Sequence, residues 1–325
     1  MLYREALNKA MDEIMAIDET VVILGEDVGF YGGNYRVTEG LYAKYGEKRV
    51  IDTPIAENSI VGNAIGMAIG GLRPVAEIMT VNFSLIAYDQ IVNEAAKIRY
   101  MSGGKLALPI TIRMPQGVAH QLAAQHSQSF ERIYASVPGL RVFTASDSIT
   151  AYHGLKQAIL SDDPVIFLEH ELLYAKDFDF IDIPEFDVRK QRLIKEGNDI
   201  TIVSWLKLLH DSIEAAKEIE KILGITVEVI ELTSLNPLNL EKVYESVKKT
   251  KRLVVINEEP KTGSFANEII VKVMENNFYD LDAPPLRICG EDVPTPYNRN
   301  LELASIPTPD KIAKKIIQWG KENGL

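Results

Sequence analysis

The run Asp52-Thr53-Pro54-Ile55-Ala56-Glu57 ends in a carboxylate that leads a glycine-spaced helical pattern: Glu57, Gly62, Gly66, Gly70. A glutamate at a helix start is favoured by the helix dipole whatever else it does. Its neighbours add a chemical possibility. Pro54, Ile55 and Ala56 put apolar groups just before it, and a carboxyl held among apolar groups tends to keep its proton. Such an acid can share that proton with a ring nitrogen of a bound cofactor, which carries the hard chemistry while the protein orients it.

Two further residue types could act on a ligand. Phe83, in Thr80-Val81-Asn82-Phe83, follows a strand candidate ending near Met79. The carboxyl end of a parallel strand is where α/β sheets bind ligands, and a flat aromatic there could stack on a ring; it could equally be core. His126 stands in Ala123-Ala124-Gln125-His126-Ser127-Gln128, within a long irregular segment. Loops of that length are often functional, and a histidine among polar residues is a general acid/base candidate. His120 reads as a surface histidine. His153, His170 and His210 lack metal-ligand spacing, so no zinc site is expected. Gly25-Glu26-Asp27-Val28-Gly29 and Tyr31-Gly32-Gly33 miss the G-x-G-x-x-G dinucleotide template. Asn276-Asn277 has no Gly-Asp-Gly before it and reads as a helix stop.

The elements that must position these residues alternate. Strands are expected at Val21 to Leu24, Pro74 to Ile78, Pro109 to Ile112, Arg141 to Phe143 and Val165 to Leu168, with helices at about 3–18, 59–70, 84–101 and 147–160. This is the rhythm of a mostly parallel sheet covered by helices. Glycines inside the 59–71 helix cost roughly 0.5–1 kcal/mol each, so a close backbone approach is expected there, within the chain or at a subunit interface. Residues 175–196 lose the rhythm and read as a linker. A second series follows: strands 200–204, 225–230, 253–257 and 286–289, and helices 209–222, 240–249 and 264–275. Thr308-Pro309-Asp310 supplies a cap, a first-turn proline and an acid for a terminal helix. The expected fold class is α/β with two parallel-sheet domains, 1–175 and 197–325, joined by 176–196.

The chain has 325 residues, 46% hydrophobic and 25% charged, and a net charge of −11. An acidic balance disfavours nucleic acid. One cysteine, Cys289, rules out an internal disulfide and favours an intracellular, cytoplasmic setting. No apolar stretch approaches the ~18 residues of a membrane span, and no signal peptide is evident; a mitochondrial matrix location would require a removed transit peptide.

Taken together, the chain resembles the beta subunit of the thiamine-diphosphate-dependent decarboxylating component of 2-oxo acid dehydrogenase complexes, a transketolase-like family. The resemblance runs nearly end to end. It rests on Leu24-Gly25-Glu26-Asp27-Val28, Asp52 to Glu57, Glu77 to Phe83, Asp89-Gln90, Met101-Ser102-Gly103-Gly104, Ala123 to Gln128, Pro138-Gly139-Leu140, Asp163-Pro164-Val165 and Val293-Pro294-Thr295-Pro296-Tyr297. It implies a pyrimidine-binding N-terminal domain, a transketolase-type C-terminal domain and an assembly of two alpha and two beta subunits. By residue, it implies that Glu57 contacts the aminopyrimidine nitrogen, Phe83 stacks on that ring, and Ile55 and Met79 line the pocket. It also implies that His126 donates protons as the acyl group passes to lipoamide.

Magnesium and the diphosphate would be held by the alpha subunit, in keeping with the missing diphosphate signature. Main-chain carbonyls of Ile110, Ala158, Ser161 and Asp163 match a potassium site of many members. Met79 to Ser84 looks more like pyruvate-type members than branched-chain ones, while Glu169 to Tyr174 also resembles acetoin-cleaving relatives. The acidic stretch Asp280 to Glu302 is a solvated face or, through the C-terminal domain, a dock for the basic binding domain of the acyltransferase core. A self-sufficient homo-oligomer would need a phosphate site that is not evident, and a non-catalytic scaffold would have no chemical need for Glu57, Phe83 and His126 together.

Overall fold

The β-branched runs form two sheets, each covered by amphipathic helices. The computed structural model describes residues 1–118 and 121–325, so His120 lies outside the described residues. Two compact units emerge: Met1–Gln116 with Ile133–Val188 and Ser234–Pro237, and Gly117–Arg132 with Arg189–Thr233 and Leu238–Leu325.

The first unit runs α1 (Tyr3–Ile17), β1 (Val21–Gly25), α2 (Leu41–Tyr45), β2 (Val50–Asp52), α3 (Glu57–Ile69), β3 (Arg73–Glu77), α4 (Ile98–Met101) and β4 (Thr111–Gln116). It continues through the part of α5 (Glu131–Ala135) from Ile133 on, β5 (Arg141–Thr144), α6 (Ser148–Ile159) and β6 (Val165–His170). The strands lie in the order β5-β6-β4-β3-β1-β2, and every neighbouring pair is parallel. Helix α1 packs on α6, burying Leu7, Met11 and Ile14 in one core with Leu155 and Ile159. Spacings of three and four put those α1 residues on one face.

The second unit holds β7 (Arg192–Lys195), β8 (Ile200–Ser204), α7 (Lys207–Leu223) and β9 (Val227–Glu231). The short β10 (Ser234–Asn236) returns to the first sheet, antiparallel on β5. Then come α8 (Glu241–Thr250), β11 (Leu253–Pro260), α9 (Ala266–Asn277), β12 (Leu286–Gly290), α10 (Arg299–Ser305) and α11 (Pro309–Glu322). Their sheet order is β12-β11-β8-β9-β7, with β7 the antiparallel edge. Among the described residues no helix is long and apolar enough to cross a membrane.

Several expectations change. The helix expected over 84–101 is broken into a 3₁₀ turn (Val81–Leu85), a π turn (Gln90–Ala95) and α4. Ser84 gives its hydroxyl to the Val81 carbonyl, a local bond that competes with a regular helix. The linker stretch contains β7, and Val188 is buried in the first core. The irregular segment 117–132 groups with the second unit rather than with the strand it follows. Thr308 is the N-cap of α11, but its side chain makes no capping bond.

Candidate active site

Strand β1 has β2 on one side and β3 on the other. Strand order reverses there, and such a reversal opens a crevice at the carboxyl ends of the strands. The segments after β1, β2 and β3 carry Glu26, Glu57, Met79 and Phe83. The Asp52 carboxylate ties two of these segments together. It accepts the Gly29 amide at 2.6 Å and the Phe30 amide at 3.3 Å, while the Thr53 amide donates to the Gly25 carbonyl at 2.9 Å. The approach leaves no room for a side chain at position 29, where a Cβ would lie 2.5 Å from Asp52 Oδ2. The glycine-rich turn is therefore a brace for the loop after β1.

Glu57 opens α3 with 3% of its surface exposed. Ile55, two residues earlier, is 80% exposed. Met79 and Phe83 are half-buried, Phe83 in a 3₁₀ turn that packs against α3. Glu26 has no role assigned from the sequence, where its run counts only as a glycine turn and as part of the family resemblance. Its carboxyl is buried, and Oε1 has no hydrogen-bond partner. Burial pushes this carboxyl up, aided by the charges of Glu57, Asp27 and Glu77. The crevice thus gathers two buried acids, Glu26 and Glu57, with a flat aromatic on the turn that packs on α3 and an uncovered apolar side chain. That donor set suits an aminopyrimidine: an acid for a ring nitrogen, a face for stacking and apolar walls.

Among the described residues, nothing packs against the glycine face of α3. A Cβ on Gly62 or Gly66 would find no atom within 4 Å, and Ser59, Asn63 and Met67 line an open depression with them. The close approach expected there is not made within the chain among the described residues.

His126 belongs to the second unit and is exposed, its amide on the Ala123 carbonyl at 3.2 Å. Gln121 and Ala123 hold left-handed backbone, with φ of 63° and 64°, a conformation non-glycine residues avoid unless their surroundings impose it. Beneath the loop lies a cavity of about 540 Å³, bordered by Ser127, Phe130, Arg132, Glu258 and Thr295.

The four carbonyls matched to potassium each accept a hydrogen bond already. Ile110 O takes the Val165 amide at 2.9 Å and Ala158 O the Ser161 amide at 3.1 Å. Ser161 O takes Arg73 Nη1 at 3.1 Å and Asp163 O takes Ser161 Oγ at 3.0 Å. The acidic stretch 280–302 is not uniformly solvated. Glu302 is fully buried, and Asp292 accepts both the amide and the hydroxyl of Thr262, at 2.9 and 2.7 Å.

Comparison with known proteins gives this arrangement a family. Residues 1–176 match the model of the transketolase pyrimidine binding domain, and residues 189–312 that of the transketolase C-terminal domain. A pyruvate dehydrogenase E1 component subunit beta from Gracilaria tenuistipitata var. liui is 44% identical, over 97% of this chain and 98% of its own length. The chain belongs to this family of E1 beta subunits. The mitochondrial E1 beta subunit of Drosophila melanogaster is 46% identical over 98% of this chain and 88% of its own length. That of Caenorhabditis elegans is 44% identical over 97% and 91%. A solved structure titled as a split-gene transketolase, an inactive beta4 tetramer, shares the fold with a TM-score of 0.76 at 23% identity, covering 98% of this chain and 99% of that one. Membership makes the chain a subunit of a thiamine-diphosphate-dependent oxidoreductase component.

Proposed function

We propose that this chain is the beta subunit of a pyruvate dehydrogenase-type E1 component, active only with an alpha subunit in an assembly of two alpha and two beta chains. The reaction is oxidative decarboxylation of pyruvate with reductive acylation of lipoyl groups on an acyltransferase core. The observation that carries this reading is the buried Glu57 carboxyl at the first turn of α3, with uncovered Ile55 two residues before it and half-buried Phe83 on a turn that packs against α3.

Thiamine diphosphate, when bound, supplies the carbon nucleophile and electron sink that a 2-oxo acid decarboxylation needs. This chain's residues orient it. Glu57 shares a proton with the aminopyrimidine nitrogen, Phe83 offers a face for that ring, and Ile55 and Met79 exclude water around it. His126 supplies protons during acyl transfer. Magnesium and the diphosphate fall to the alpha subunit.

Potassium at the carbonyls of Ile110, Ala158, Ser161 and Asp163 would use the second lone pair of each oxygen. Thermal unfolding in potassium against sodium tests that site. The C-terminal domain docks the acyltransferase core, and exposed Glu291, 3.8 Å from Lys315 Nζ, is one acidic contact for a basic partner. A reducing, cytoplasmic setting suits the single buried Cys289.

The decisive experiment is calorimetry of thiamine diphosphate with magnesium, on this chain alone and with its alpha subunit. Binding only in the mixture supports the split site. Tight binding by this chain alone would overturn it.

A further inference from the structure

The loop that carries His126 is held by acids. The Val118 amide donates to Glu258 Oε1 at 2.6 Å, the Gln121 amide to Glu302 Oε1 at 2.8 Å and the Arg132 amide to Glu259 Oε1 at 2.8 Å. Glu258 is 9% exposed, and Glu259 and Glu302 are not exposed at all. Two of these carboxylates are fixed from behind. Glu259 Oε2 accepts the Phe265 amide at 2.7 Å and Asn257 Nδ2 at 2.9 Å, and Glu302 Oε2 accepts Arg299 Nη1 at 2.8 Å. Between these anchors Thr295 donates its hydroxyl to the Ser127 carbonyl at 2.9 Å, directly after His126. Trp205 Nε1 donates to Glu131 Oε1 at 2.8 Å near the loop's end.

Buried amides need partners, but carbonyls would serve, and buried carboxylates are costly unless well bonded. An acid side chain has two oxygens, so one can take a loop amide while the other is fixed from behind, and acids therefore suit a loop that must stay in one place. The backbone points the same way, since Gln121 and Ala123, a few residues before His126, are held in the left-handed region.

The place in the fold is also telling. Strand β8 lies between β9 and β11, so the second sheet reverses its order there and opens a ligand-type crevice at its strand ends. Trp205 follows β8, while Glu258 and Glu259 sit at the carboxyl end of β11. These residues bind the chain's own loop instead.

We infer that Glu258, Glu259 and Glu302 are positioning residues for His126, so that the C-terminal domain sets the presentation of the acyl-transfer acid. The inference rests on the proposed role of His126, and its test separates the two. The assembled enzyme is prepared as wild type, Glu302→Gln, Glu258→Gln and His126→Gln. Two rates are compared: pyruvate decarboxylation with a dye as electron acceptor, and reductive acylation of a free lipoyl domain. Hydrogen exchange is followed at the amides of residues 118, 121 and 132.

Positioning predicts faster exchange at amide 121 in Glu302→Gln and at amide 118 in Glu258→Gln. It also predicts lipoyl acylation falling at least five-fold more than the dye-coupled rate, with the double variant Glu302→Gln/His126→Gln no worse than His126→Gln. Unchanged exchange, or an equal fall in both rates while His126→Gln lowers acylation selectively, overturns the positioning role. If His126→Gln spares acylation, the reading of His126 fails, and exchange alone then decides whether the acids hold the loop. Should Glu302→Gln fail to fold, Glu258→Gln and Glu302→Asp carry the same comparison.

Discussion

Arg113 presents Nε and Nη2 to the two carboxylate oxygens of Glu169, at 2.9 and 2.7 Å, across neighbouring strands β4 and β6. Its third nitrogen reaches Glu77 on β3, the residue in register with it. The Tyr174 hydroxyl donates to Glu169 Oε2 at 2.6 Å. All four side chains are buried. Burial pushes the Glu77 carboxyl up, against the pull of Arg113. A buried ion network adds little net stability over an apolar one, but removing one partner leaves a stranded charge. Glu169→Ala is therefore expected to cost about 3–5 kcal/mol. Urea unfolding measures it, and a cost below about 1 kcal/mol would show that water or Glu77 alone satisfies the guanidinium.

Gly29 gives a second, sterically defined prediction. A methyl group there meets the Asp52 carboxylate that holds the same loop. Gly29→Ala must move the loop or the aspartate, at an expected cost of about 1–3 kcal/mol. Because the loop also carries the Glu26 carboxyl, thiamine-diphosphate affinity of the assembled enzyme should fall alongside. Wild-type melting and affinity in the variant would mean that the brace has slack.

Much of this was readable in the residues, and the exceptions share a cause. Apolar runs and helical spacing located β1, β8 and α6 to within a residue or two, and the Thr308-Pro309-Asp310 signal located the start of α11, because those elements answer to local signals. The place of Glu57 at the start of α3 was legible because Pro54 and the glycine-spaced pattern around it are contiguous in sequence. The partners of Arg113 were not, since pairing across β3, β4 and β6 depends on strand register set far away in the chain. For the same reason Glu302 read as part of a solvated acidic stretch. Its real partner, the Gln121 amide, is separated from it by 181 positions. The glycines of α3 signalled a close approach, but among the described residues no backbone comes near Gly62 or Gly66 to make it.

Glu57→Gln tests the proposed acid directly. Glutamine keeps the size and burial of the side chain but has no carboxyl proton to share. Turnover of the assembled enzyme should drop by about 10²–10⁴, the usual worth of a positioned acid or base, with circular dichroism and assembly unchanged. Turnover near the wild-type rate would remove Glu57 from the proposed mechanism.

Glu259 makes stability depend on pH in a predictable sense. Its carboxyl is pushed up to about 8 from an ordinary 4.5, first by burial and then by the charge of Glu131, against the amides of Phe265 and Arg132. Between those values the folded chain holds a proton that the unfolded chain releases, so folding binds protons and stability falls as pH rises. The stabilisation is fully present below 4.5 and is lost as pH climbs through about 8. Glu259→Gln cannot ionise and removes this dependence. Glu77, shifted in the same direction, is common to both proteins and cancels in the comparison. Urea unfolding of wild type and variant at several pH values from 5 to 9 should therefore show the wild type losing stability relative to Glu259→Gln as pH rises. Parallel curves would mean that Glu259 is already ionised in the folded chain, with the Arg132 and Phe265 amides and Asn257 outweighing its burial beside Glu131.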